Sequence, residues 1–170
     1  RPSGEYDPYF DQYFDYWATK TFSYDRQTAT SRKFSKIAGD RGAATIFFGH
    51  SDLVADLKFN DSWKELSSFT IRNELAIIAA CNSSAFLGDL KLGPGASAIG
   101  FSSNRKDANG TSGYIESGHL GILAARGLDL LQKGFMPKAV AANLPDFAKA
   151  NAKTWGYRVS VDFVEYVPKK

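Results

Sequence analysis

The sequence predicts an α/β domain organised on a mostly parallel sheet, and three features carry that expectation. Short runs at 43–48 ("AATIFF"), 75–80 ("LAIIAA") and 96–101 ("ASAIGF") are almost uniformly apolar rather than alternating. Continuous hydrophobicity marks strands covered on both faces, as in parallel sheets. The segments between these runs are long enough for the right-handed crossovers that join parallel strands. The closing stretch "YRVSVDFVEYV" (157–167) alternates instead, with Tyr157, Val159, Val161 and Phe163 on one side. That pattern predicts a half-buried strand near a sheet edge.

The remaining elements follow along the chain. The opening "YDPYFDQYFDYWATKTF" sets Phe10, Phe14 and Trp17 at helical spacing, which predicts an aromatic helix. Its rings would dock on the core or meet a protein partner or second chain. Residues 23–42 are polar and contain glycine, and read as loop. A helix starts in "NDSWKELSSF" (60–69), where Ser62 and Glu65 are spaced as a capping box. The stretch "GYIESGHLGILAARGLDLLQKG" (113–134) is helix-length and closes on Gly134, a natural residue just past a helix end. Pro137 suits the first turn of another helix, "PKAVAANL", which Pro145 is expected to interrupt or restart. Neither a repeat nor a linker divides the chain. Residues 1–170 therefore read as a single domain, with 1–43 as aromatic helix and loop and 44–170 as the core, long enough to bury one.

Composition narrows function by exclusion. Lys and Arg number 21 against 18 Asp and Glu, a net charge of +3, and the cations are scattered. A nucleic-acid binder gathers them into a stripe. No apolar run approaches the ~20 residues of a membrane span, so the chain reads as soluble. One cysteine allows no intrachain disulfide, which leaves the compartment open. The start "RPSG" lacks methionine and reads as a mature, processed or expressed form. The sequons "NSS" at 82 and "NGT" at 109 are too short to imply secretion.

Two strand ends carry the chemistry. The first run passes through Gly49 to His50, and the second ends on Cys81, the only cysteine. In open α/β sheets the working crevice lies beyond the C-terminal ends of the strands. If the two strands are neighbours, about 4.8 Å apart, both side chains can reach one cleft. A thiol with a pKa of about 8.5 is only a few per cent thiolate at neutral pH. An imidazole can take its proton, hold the thiolate and later protonate a leaving amine. Backbone N–H groups in the two turns, those of Ser51 and Cys81, are the candidate oxyanion donors. The bland alternative is a cysteine buried as a small hydrophobe and a histidine bonded in a turn.

The stretch "AACNSSAFLGDL" resembles the region around the legumain nucleophile: Ala-Cys, a serine two residues later, then a bulky residue. The following "GASAIGFSS" is similar to the next core strand of gingipains. A strand ending in His followed by a strand ending in Ala-Cys resembles the caspase-like cysteine peptidases, with a match over roughly residues 44–133. The resemblance implies a three-layer α/β/α fold, a mostly parallel sheet flanked by helices. It implies a cysteine endopeptidase that needs no cofactor or metal and cuts polypeptides. His50 would be the general base and Cys81 the nucleophile. Ser102, Ser103 and Asn104 would lie near the specificity pocket. Asp107, near them in sequence, is a candidate acid for an Arg or Lys preference. The chain departs from the family at Ser51, where glycine is usual, and at Ala79, where legumains carry an acid. The family's first strand has no counterpart before residue 44.

Rival readings fit less well. "GHSDL" is close to the serine-hydrolase elbow around Ser51, but Leu53 stands where that turn needs its second glycine. The late histidine such an enzyme needs could only be His119, which falls in a helical pattern. Two histidines and one cysteine, widely separated, give no metal-ligand spacing. "KDANGTSG" lacks the register of a calcium loop, and "GDRGAAT" precedes a strand rather than a helix. The strongest non-enzyme alternative is a caspase-like module without activity that binds or assembles partners.

Overall fold

The computed structural model describes residues 44–48, 70–106, 108, 110 and 112–169. The aromatic stretch at 6–22 and the capping box at 62–65 lie outside the described residues. Within the described residues four strands form one sheet in the order β1-β2-β3-β4: β1 (Ala44–Phe48), β2 (Leu75–Ala79), β3 (Ser97–Ser103) and β4 (Val159–Glu165). The pairs β1–β2 and β2–β3 are parallel, and β4 runs antiparallel to β3. A 3-10 helix (Ser83–Asp89) follows β2, and two α-helices, α1 (Ser117–Gln132) and α2 (Pro137–Trp155), separate β3 from β4. The expected strands are all present, and the molecule is an α/β protein with a mixed sheet.

The uniform apolar runs are explained by what covers them. All five residues of β2 are buried. Leu75, Ile77 and Ala79 face the α-helices, together with Ile99 and Phe101 of β3, and meet Leu120, Leu123, Val140 and Leu144. The alternate residues Ala76 and Ile78 pack with Ala98, with Leu87 of the 3-10 helix and with Ile71. Period-two alternation sends successive side chains to opposite faces. A strand with both faces covered therefore has no polar position left. The edge strand behaves as its pattern predicts: Tyr157, Val159, Val161 and Phe163 join the helix-side core, while Ser160, Asp162 and Glu165 are exposed.

Two helix boundaries differ from expectation. The long stretch from 113 becomes helical only at Ser117. Residues 113–116 stay outside the helix because their backbone groups find tertiary partners, described below, in place of helical ones. At the other end α1 stops as predicted. Gly134 takes φ 89°, its N–H bonds the Leu131 carbonyl at 2.9 Å, and Phe135 N–H bonds the Leu130 carbonyl at 3.0 Å. These crossed bonds form a Schellman motif, which needs the left-handed residue that glycine supplies without strain. The second difference is Pro145. It neither breaks nor restarts the helix, since α2 runs continuously past it to Trp155. Pro145 is exposed, so its ring stands clear of the core. Val140, Leu144 and Ala148, on either side of it, hold one buried stripe across the site.

Candidate active site

The C-terminal ends of β1, β2 and β3 point the same way and share one end of the sheet. Register fixes the relation between the first two. Phe48 lies opposite Ala79. Position 50 follows Phe48 by the same two steps by which position 81 follows Ala79. His50, Ser51 and Asp107 themselves lie outside the described residues.

Beyond β2 the chain turns sharply. Ala80 N–H bonds the Ile78 carbonyl at 2.9 Å, and Asn82 takes the left-handed conformation with φ 52°. Asparagine enters that region more readily than most residues. Ser83 then anchors the turn: its hydroxyl donates to the Ile78 carbonyl (2.7 Å) and accepts from Phe101 N–H (2.9 Å). Cys81 is thus held at the sheet end, on the turn, with 9% of its surface exposed. Its thiol donates to the Ile115 carbonyl at 3.1 Å, and its sulfur accepts from Ile115 N–H at 3.3 Å.

The serines and asparagine expected near a specificity pocket have defined partners. Ser102 donates to Asn82 Oδ1 at 3.2 Å, which ties β3 to the residue following the thiol. Ser103 is buried and points to the helix side, where its hydroxyl donates to the Tyr114 carbonyl and accepts from Arg105 N–H at 3.1 Å. Asn104 is exposed and joins β3 to the start of β4: its Oδ1 accepts Arg158 N–H at 2.9 Å. Ser102 and Ser103 therefore sit around the Cys81 turn, and Asn104 faces the β4 side of the same sheet end.

The sequence reading missed a second cluster at this end. Arg105 Nη1 donates to Glu116 Oε1 at 2.7 Å, and its guanidinium lies 5.1 Å from the Tyr114 ring centre and 5.2 Å from that of Tyr157. The Tyr157 hydroxyl accepts Glu116 N–H at 3.0 Å and meets His119 Nδ1 at 2.5 Å. His119 also stacks on Trp155, with ring centres 4.6 Å apart. The hydrogen bond from Arg105 lowers the Glu116 carboxyl pKa, and the same pairing raises that of Arg105. Burial raises the Tyr157 phenol pKa. The only local sign in the sequence is Glu116 three residues before His119. Arg105, Trp155 and Tyr157 come from distant parts of the chain and meet only in the fold.

His119, the one histidine available to a serine hydrolase, is committed in this cluster to Tyr157 and Trp155. Among the described residues no three His, Cys, Asp or Glu side chains are grouped to hold a metal ion. Nor is any helix among them long and apolar enough to cross a membrane. Protein-family models, curated proteins and solved structures give no match to this chain. The geometry alone carries the functional argument.

Proposed function

We propose that this chain is a cysteine endopeptidase of caspase-like three-layer architecture, with His50 as general base and Cys81 as nucleophile. The observation that carries the reading is the β1–β2 register. β1 and β2 are adjacent and parallel with Phe48 opposite Ala79, and in sequence each of these residues stands two positions before its member of the pair, 50 and 81. Rigid strands one spacing apart are the support that a two-residue catalytic pair requires.

The reaction follows from those roles. His50 takes the thiol proton, and the Cys81 sulfur attacks the peptide carbonyl carbon, forming a C–S bond and an oxyanion. Backbone N–H groups of Ser51 and Cys81 are the donors assigned to that oxyanion. Collapse breaks the C–N bond as the imidazolium protonates the departing amine. Water, deprotonated by His50, then cleaves the thioester and returns the thiol. Ser102, Ser103, Asn104 and Asp107 belong to the substrate side of this assignment, and no cofactor takes part in it.

One observation favours a second reading, an inactive binding or assembly module on the same scaffold. The Cys81 sulfur is buried and engaged by both backbone groups of Ile115, as a structural cysteine would be. The rate of iodoacetamide alkylation against pH, in the parent and in His50→Ala, separates the two. The peptidase predicts fast alkylation persisting below pH 7 and lost with the histidine. It also predicts peptide hydrolysis abolished by Cys81→Ala and retained in Ser51→Ala. Slow alkylation unchanged in His50→Ala, with no hydrolysis of a peptide library, would leave the binding module as the answer.

A further inference from the structure

We propose that residues 113–116 are a strap closing the Cys81 thiol, and that Tyr157 with the Arg105–Glu116 pair is its latch. Every N–H and carbonyl of these four residues is used. Gly113 and Tyr114 donate to the Arg105 carbonyl (3.0 and 3.2 Å), and the Gly113 carbonyl accepts Asn82 N–H at 3.2 Å. The Tyr114 carbonyl accepts the Ser103 hydroxyl, and both groups of Ile115 engage the Cys81 sulfur. Glu116 N–H donates to Tyr157, and the Glu116 carbonyl accepts the N–H groups of His119 and Leu120 in the first turn of α1. Such complete pairing is what lets a segment outside any helix or sheet pack into the fold. Gly113 makes the approach possible, since a Cβ there would stand 2.7 Å from Asn82 Cβ, at φ 92°.

The strap is therefore docked directly on the turn that carries the thiol. While it is down, the S–H is committed to the Ile115 carbonyl and Ile115 covers the sulfur. The latch lies on the outer side. Arg105 and Glu116 keep 41% and 47% of their side-chain surface exposed, so solvent or an incoming charged group can reach them. Tyr157 is buried and holds both the Glu116 N–H and His119, joining the strap to the start of β4 and to α1. Removing its hydroxyl leaves that N–H without its partner. The meaning of the strap as a gate on catalysis rests on the peptidase reading, whereas its closure over the sulfur does not.

Alkylation of Cys81 by iodoacetamide in the full chain tests the strap. The variants are Tyr157→Phe, Glu116→Gln and the charge-swapped double R105E/E116R, each with its thermal midpoint. Gly134→Ala serves as a control that weakens the fold away from the strap. Tyr157→Phe should react about ten-fold faster than the parent, the scale on which an orphaned donor acts. Glu116→Gln should react about two- to five-fold faster, and the swap should restore the parent rate. Parent-like rates in both single variants overturn the strap. So does an equal acceleration in Gly134→Ala, because the thiol would then be reached by general unfolding. His50→Ala keeps the two ideas apart: a response to the latch with none to the histidine keeps the strap and removes the peptidase. The opposite pattern removes the strap alone.

Discussion

Ser83 shows how much one hydroxyl can fix at this sheet end. It is 1% exposed, and its oxygen serves the Ile78 carbonyl and Phe101 N–H together. The turn bearing Cys81 is thereby fastened to both β2 and β3. Ser83→Ala removes the acceptor and leaves Phe101 N–H buried, a cost of about 1–3 kcal/mol. Urea denaturation should show a lower midpoint with an unchanged slope. If stability held within about 0.5 kcal/mol, Ser83 would not be the anchor described here.

Among the elements, α2 carries the sharpest test. A proline inside a helix lacks the N–H that the residue four positions earlier requires, and its ring crowds that residue's carbonyl. In α2 the loss falls on Ala141, on the buried side. The helix persists because Val140, Leu144 and Ala148 are packed against the sheet, and tertiary burial outweighs local propensity. Pro145→Ala restores the missing bond at an exposed position. The freer unfolded chain offsets part of that gain, by about 0.4–1 kcal/mol. Against a cost of about 3 kcal/mol for an interior proline, a net stabilisation of about 2 kcal/mol is expected, read as a higher thermal midpoint. A fall in midpoint would mean that α2 needs the distortion Pro145 imposes.

For the whole molecule, the charges on the outer strand β4 bear on self-association. Among the described residues β4 is paired only with β3, so its other edge is unpaired there. Its helix side carries Val159, Val161 and Phe163 and ends on exposed Glu165, while Ser160 and Asp162 stand exposed on the opposite side beside Val164. Charges on an edge strand oppose pairing with a second copy. Replacing Asp162 and Glu165 together by valine would turn the alternating segment into a continuous apolar one. Concentration-dependent light scattering should then rise at conditions where the parent stays monodisperse. Unchanged scattering would show that this edge needs no charge to stay apart.

The sequence by itself determined the element types that depend on local pattern. Uniform apolar runs marked β1 to β3, alternation marked β4, and Gly134 marked the end of α1. Each signal lies within a few neighbouring residues, because burial on one or two faces dictates side-chain chemistry directly. It also singled out Cys81 and the turn after β2. Only the tertiary structure decided what surrounds that thiol. Residues 113–116 read as helix, yet they lie outside it, because Arg105, Ser103, Cys81 and Tyr157 supply hydrogen bonds that a helix would otherwise provide. Pro145 read as a break, yet the core on both sides of it keeps α2 whole. The cluster of Arg105, Glu116, His119, Trp155 and Tyr157 had no local pattern to reveal it. Such contacts join residues far apart in the chain, and their energies exist only after the sheet and helices have assembled.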